Sequence, residues 1–336
     1  MAFYKILRDY DPMEADWISR RLMALRETMR ASDLGRRDHK NLIIGSWNIR
    51  AFDEGAPRRH ESYHYIAEII DHFDICAVQE VKSDLKPLKR LMNLLGPSWD
   101  YFVTDVTEGG PGNRERQAFL YNKNKVQFRN LVGEITLSRE DLVDGDQIAR
   151  TPYFASFQAG WFRFTLCSVH IIYGKSKAKR AEEISRLAKR INQRAVAEDE
   201  VYVLIGDMNI EKRNDSIFKS LSDEGLTVPI FGPTNLGGDK DYDQIAFTGE
   251  RVKTKLVNSG TFDWRGDVFG DADKDKYEPI VKATREAAGK QMYSNWDGSY
   301  QNHFASFEMS DHLPIWVEIR TDYSDDYLQR FKISTA

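Results

Sequence analysis

Cysteine is nearly missing from this chain: 336 residues hold only Cys76 and Cys167. Each lies inside an apolar, strand-like run, DICAVQ and FTLCSVH, so both read as buried thiols rather than a staple or a thiolate metal site. Such low use fits a reducing compartment. No apolar stretch is long enough to cross a bilayer, and no charged-then-apolar leader opens the chain. The expectation is a cytoplasmic protein with no membrane partner. Positive charge is not in excess either. The formal net charge is −4, which argues against a protein that coats nucleic acid by bulk charge. It leaves room for an enzyme that gathers carboxylates in a metal site and keeps its basic residues local. Internal repeats and low-complexity tracts are absent, and two familiar ligand loops fail. Gly174-Lys175-Ser176 resembles the end of a phosphate loop, but Val169 stands where the first glycine is required. Asp271, Asp273 and Asp275 mimic a calcium loop, yet Lys276 replaces its glycine and Lys282 its closing glutamate.

What is present is an ordinary globular composition, 41% hydrophobic and 30% charged, enough for one large core or two small domains. The stretch Val201–Asn209, VYVLIGDMN, reads as a strand buried on both faces that stops at Gly206. Alternate residues of an extended chain point the same way, so Asp207 and Asn209 leave its end side by side. Alone, they fit a strand-end turn equally well. Further core strands are predicted at Asn41–Trp47, Asp74–Val78, Asp100–Asp105, Gln117–Tyr121, Lys125–Leu131, Tyr153–Gln158, Trp161–His170, Tyr242–Phe247 and Leu313–Ile319. Helical spacing appears around Tyr65–Phe73, Leu85–Leu95 and Ile184–Ile191. Strands cluster rather than alternating strictly with helices, which favours two packed sheets with outer helices over a doubly wound parallel sheet.

Before the first core strand, residues 1–40 form an N-terminal helical extension. Asp11-Pro12-Met13-Glu14 carries a capping residue and an N1 proline, and Ile18, Leu22, Leu25 and Met29 recur at helical spacing. Residues 41–320 make the main domain. Within it, 261–305 is rich in Asp, Lys, Gly and aromatics with weak periodicity, and reads as an insertion or lid. Residues 321–336 form a polar tail.

Asn48, Glu80, His170, Asp207 with Asn209, Asp243, and Asp311 with His312 each stand at the edge of a predicted strand. All are types that bind metals, move protons or hold phosphate. The ordered set WNIRAF, VQEV, RERQAFLY, ARTPY, SVHIIYG, GDMN, YDQIAF and SDHLP resembles the endonuclease/exonuclease/phosphatase superfamily, and within it the deoxyribonuclease I-like branch, over about residues 41–320.

That resemblance implies an α/β (α+β) fold, a four-layer α/β/β/α sandwich with two mainly antiparallel sheets. It implies a metal-dependent hydrolase of phosphodiesters, an endonuclease on DNA or RNA working by in-line attack of water. Glu80 would be the main ligand of Mg²⁺, or of Mn²⁺ in its place, with Asn48 and Asp311 close by. His312 oriented by Asp311, and His170 oriented by Asp243 or Glu115, would form two imidazole–carboxylate pairs. Asp207 and Asn209 would position the nucleophile, and Arg150 would hold a phosphate oxygen. Arg116, Lys82 and Lys175 are further phosphate-binding candidates. Which histidine is the base, and whether one or two metals take part, stays open.

Some positions depart from the deoxyribonuclease I pattern. Lys82 and Asn113 replace an arginine and a tyrosine that read the minor groove, so duplex DNA is not marked as the preferred substrate. The alternatives are the same chemistry on a small or lipid phosphoester, and a dead nucleic-acid-binding homologue. No obligate protein partner is evident in the sequence.

Overall fold

The computed structural model describes residues 2–35, 38–52, 57–107, 114–174, 176–249, 252–253 and 255–332. Among them, one sheet is built from β1 (Asn41–Phe52), β2 (Ile75–Val81), β3 (Trp99–Val103), β4 (Arg116–Asn122), β10 (Leu256–Thr261) and β11 (Ile315–Arg320), in the order β10-β11-β1-β2-β4-β3. The other holds β5 (Gln127–Glu134), β6 (Tyr153–Ala159), β7 (Phe162–His170), β8 (Val201–Asp207) and β9 (Asp243–Phe247), in sequence order. Each sheet contains one parallel pair, β1–β2 and β7–β8, and is otherwise antiparallel. Parallel neighbours need a crossover. Helix α2 (His60–Asp71) supplies the first, and α4 (Lys177–Glu198) the second.

The central strands β1, β2, β7 and β8 read as largely apolar runs because both faces are covered, whereas β5, expected as a core strand, is mostly exposed at its sheet's edge. Along β1, Leu42 and Ile44 face the opposing sheet, where they meet Phe157, Phe164, Leu166, Val203 and Ile205. The alternate residues Ile43, Trp47 and Ile49 belong to a second core, under α2 and α3 (Lys86–Leu95). On β8, Tyr202 and Leu204 likewise turn outward to α4 and α5 (Ser216–Ser222). The two-residue period of a strand thus sorts one chain into two cores, and the result is the α/β/β/α sandwich.

Helix α1 (Pro12–Ala31) begins where the sequence marks it. Asp11 accepts from the Met13 amide at 2.9 Å, Pro12 occupies the first turn, and Ile18, Leu22, Leu25 and Met29 are buried. It packs on α2, whose residues Glu61–Asp71 are consequently all buried.

Several elements were not legible, among them α5, β10 and a helix of the 261–305 stretch. β10 pairs only with β11, is half-polar (LVNSGT) and carries a register shift, so it lacks the pattern of a core strand. Helix α6 (Lys274–Ala287) lies inside the 261–305 stretch, with Pro279 in its interior and only Tyr277 and Val281 buried. A helix with so narrow an apolar stripe leaves little periodicity to read. This stretch docks on α1: the Trp17 indole donates to Tyr277 Oη at 3.2 Å, Thr28 Oγ1 donates to Asp267 at 2.8 Å, and Arg21 pairs with Asp273. Helix α1 and the 261–305 stretch together make an outer layer on the α2 side. No helix among the described residues is long and apolar enough to cross a membrane.

Candidate active site

Sheet register assembles the site. On β7 and β8, His170 stands opposite Asp207; on β8 and β9, Asp207 stands opposite Asp243. Three adjacent strand ends therefore present an imidazole and two carboxylates in a row. The other sheet contributes across the sandwich, with Asn48 opposite Gln79 on β1 and β2, Glu80 one residue on, and His312 just before β11.

Regular backbone ends here. Ala51, Glu80 and Asn209 all have positive φ, 42°, 61° and 51°. Non-glycine residues rarely adopt that region, and such strain gathers at functional sites. Gly206 has φ 132°, and a Cβ there would lie 2.2 Å from the Val169 carbonyl oxygen and 3.0 Å from Gln79 Nε2. The glycine that stops the VYVLI run is required where β8 meets the Val169 carbonyl of β7 and the Gln79 side chain of the facing sheet.

Asp207 is the hub. Its Oδ2 accepts from Asn48 Nδ2 at 3.0 Å and faces His170 Nε2 at 3.4 Å and His312 Nε2 at 3.8 Å. Its Oδ1 accepts from the Asn209 amide at 2.9 Å, while Asn209 Nδ2 donates to the Ile171 carbonyl at 2.6 Å. The outer nitrogen of each ring has its own carboxylate: His170 Nδ1 lies 2.8 Å from Glu115 Oε2, and His312 Nδ1 lies 2.8 Å from Asp243 Oδ2. Two imidazoles, each held from behind, aim at one oxygen between them.

This corrects the expected pairing. His312 is oriented by Asp243, not Asp311, and of the two partners expected for His170 it is Glu115, not Asp243, that holds the ring. The physical reason is register. Asp243 leaves β9 beside Asp207 and under His312. Asp311 turns outward, half exposed, with Arg50 Nε 3.8 Å away.

The electrostatics follow. Burial opposes the charge on Glu115, yet the bonded His170 ring, Arg150 and Lys82 hold its carboxyl down at about 2. Burial also opposes a charged His312, but Asp243 and Asp207 outweigh it and raise its pKa well above the ordinary value. The carboxyl of Asp207 is raised, first by burial and then by Asp243, against the pull of both histidines.

The candidate phosphate binders are placed differently from one another. Arg150 Nε lies 3.1 Å from Glu115 Oε2, and buried Lys82 Nζ lies 3.4 Å from Glu115 Oε1. Both converge on Glu115, and Lys82 is not displayed to a groove of DNA. Arg116 donates to the Thr104 carbonyl at 2.7 Å and pairs with Asp105. Lys175 and Asn113 lie outside the described residues.

The donor set fits a hard divalent cation. Glu80, Glu115 and His170 offer ligand atoms within 4.8 Å of one another, as do Asp207, Asp243 and His312. Asn48 Oδ1 is buried with no hydrogen-bond partner, while its amide nitrogen is fixed on Asp207. A buried carboxamide oxygen held in this way near a carboxylate is a ready oxygen ligand. Glu80 itself is steadied by the Ala51 amide, which donates to its Oε2 at 2.7 Å. Asp311 is not drawn into either group of ligand atoms.

Three supporting residues escaped the sequence reading. The Ser310 hydroxyl donates to the Asn48 carbonyl at 2.5 Å and accepts from the amides of Arg50 (3.1 Å) and His312 (3.0 Å). Trp47 Nε1 holds the His312 carbonyl at 2.9 Å. Tyr242 lays its ring 5.6 Å from that of His312. The SDH and YDQ words contain two of these residues, but a word does not say which hydroxyl bridges two strands.

Comparison with known proteins agrees with this geometry. The model of the Endonuclease/Exonuclease/phosphatase family matches residues 45–277. A deoxyribonuclease of Thioalkalivibrio sp. (strain K90mix) is 29% identical over 202 residues, 56% of this chain and 53% of that relative, so the match spans about half of the relative's length. Deoxyribonuclease gamma of Rattus norvegicus is 23% identical over 252 residues, covering 67% of this chain and 77% of its own. Among solved structures, the mannosyl-6-phosphatase Bt3783 of Bacteroides thetaiotaomicron VPI-5482 shares the fold with a TM-score of 0.55 and 16% identity, over 83% of this chain and 99% of that one.

Proposed function

Because the chain belongs to the Endonuclease/Exonuclease/phosphatase family, we propose that it is a divalent-metal-dependent nuclease that hydrolyses DNA or RNA phosphodiesters by in-line attack of water. One observation carries the reading: two imidazoles, each clamped at Nδ1 by its own carboxylate, converge on Asp207. A phosphate docked against this cluster meets proton donors in the two imidazoles and, in Asp207, an acceptor for the proton of the attacking water, as displacement at phosphorus requires. The deoxyribonuclease names of the relatives support nucleic acid as substrate.

In this reading His312, kept cationic by Asp243 and Asp207, neutralises the phosphate and protonates the departing oxygen. Asp207, with Asn209 beside it, aligns the attacking water and takes up its proton. His170 donates to a non-bridging phosphate oxygen, its ring fixed by Glu115. Asn48 and Glu80 would hold Mg²⁺, or Mn²⁺ in its place, and the ion would spread the charge that builds on the phosphate oxygens.

The test is incubation with plasmid, single-stranded DNA, RNA and a simple phosphodiester, each with Mg²⁺, Mn²⁺ or EDTA. Strand cleavage with metal alone is the expected result. Cleavage of the small ester without strand cleavage would move the substrate to small phosphoesters, and silence throughout would overturn the assignment.

A further inference from the structure

A half-exposed aromatic ring stands at the rim of the site. Tyr173, three residues past His170, is 49% exposed. An exposed tyrosine ordinarily keeps its rotamer freedom. This one is held at three points. Its hydroxyl donates to Glu211 Oε1 at 3.1 Å, its carbonyl accepts from Arg180 Nη1, and the Arg180 guanidinium lies over its ring at 4.5 Å. Arg180 is itself only 3% exposed, and Glu211 is anchored by Lys177 at 2.6 Å. The ring is therefore backed by a buried cation, fixed at its tip and met by Tyr242, with about half of the residue's surface in solvent.

Its position matters as much as its rigidity. Tyr173 and Tyr242 have ring centroids 6.3 Å apart, nearly perpendicular at 88°, and Tyr242 in turn lies 5.6 Å from His312. The fixed ring is thus one aromatic residue removed from the group assigned to the phosphate. A groove of about 1040 Å³ opens on the same loop at Ile172 and Gly174; Lys179 and Arg180 line it together with the carboxylates of Asp105, Glu134, Asp146 and Glu183, and Tyr173 is not part of its lining. A rigid, exposed, cation-backed ring is what stacking on a planar heterocycle needs, because little entropy is left to lose on binding.

Resting on the nuclease reading above, we infer that Tyr173 is a stacking platform for the base of the nucleotide flanking the scissile phosphate. A base can reach a side-chain face only when it is unpaired and turned out of its own stack. The substrate is therefore a single strand or a frayed end, rather than the interior of a duplex. Buried Lys82, engaged with Glu115, agrees in offering nothing to a minor groove.

The experiment uses the full chain with Mg²⁺ and two labelled oligonucleotides of equal length, one thymidine-rich and one of tetrahydrofuran abasic residues on the same phosphodiester backbone. The wild type should cleave the base-bearing strand with a kcat/KM about tenfold higher, in line with the usual worth of base–aromatic stacking. Tyr173→Ala should bring the two substrates to parity, and Tyr173→Phe, which keeps the ring over Arg180 but loses the Glu211 bond, should keep part of the preference. A wild type indifferent to bases, or Tyr173→Ala slowed equally on both, would overturn the platform and leave the nuclease reading intact. Failure to cut either strand would count against the nuclease reading. A 2-aminopurine oligonucleotide bound in EDTA then still decides the platform: quenching lost in Tyr173→Ala supports it, and no quenching in the wild type contradicts it.

Discussion

At the scale of single residues, the two clamped histidines are the most informative feature. Because His312 is held by Asp243 rather than Asp311, the two aspartates should differ sharply on substitution. Asp243→Asn is expected to lower kcat by two to three orders of magnitude or so, since the ring loses both orientation and the charge that keeps it protonated. Asp311→Asn should cost much less; equal losses in steady-state assays would contradict the pairing. Glu115 gives a pH prediction. Its folded value of about 2 lies below the ordinary 4.5, so its stabilisation is present above pH 4.5 and is lost as pH falls from 4.5 towards 2. The effect amounts to at most about 3 kcal/mol. In EDTA, the stability gap between wild type and Glu115→Gln should close across that window; a constant gap would show that Glu115 is not held ionised by its neighbours. At this scale the sequence showed which residue types gather, since polar groups at strand ends are visible in VQE, GDMN and SDH. It did not show who bonds to whom. Partner choice depends on the register of β8 and β9 and on the outward turn at Asp311, and neither leaves a mark in the local sequence.

At the scale of elements, β8 holds the site together, and Gly206 is where it is most constrained. Gly206→Ala would force a methyl group against the Val169 carbonyl in a backbone region that alanine avoids. A loss of about 3 kcal/mol is expected, read as a lower urea midpoint, with activity falling alongside it. An alanine variant of wild-type stability would mean that β7 and β8 do not approach as described. The core strands and α1 were readable because burial on both faces, or on one helical face, writes itself into the residue pattern. β10 and α6 were not. An edge strand with one partner and a helix burying two side chains need few apolar residues, so tertiary contacts rather than local pattern determine them. The 261–305 stretch shows this. Its contacts with Trp17, Arg21 and Thr28 join residues that lie more than 200 positions apart in the chain.

At the scale of the whole molecule, a chain of net charge −4 confines its cations to particular contacts. Several of the basic residues near the site are committed to carboxylates: Arg150 and Lys82 to Glu115, Lys177 to Glu211, and Lys179 to Asp144. Affinity for the phosphate backbone should accordingly be modest and specificity local, resting on the site rather than on a basic face. The family fold was legible from eight ordered motifs of site residues, whereas the outer layer formed by α1 and the 261–305 stretch is held by long-range packing contacts that leave little local pattern. The most direct measurement of the central claim is the cleavage rate of a labelled single-stranded oligonucleotide by wild type and by Asp207→Asn, each with Mg²⁺ and with EDTA, after circular dichroism has shown that both are folded. The account predicts cleavage by the wild type only with metal, and a rate about three orders of magnitude lower for Asp207→Asn. Metal-independent cleavage, or a variant as fast as the wild type, would contradict it.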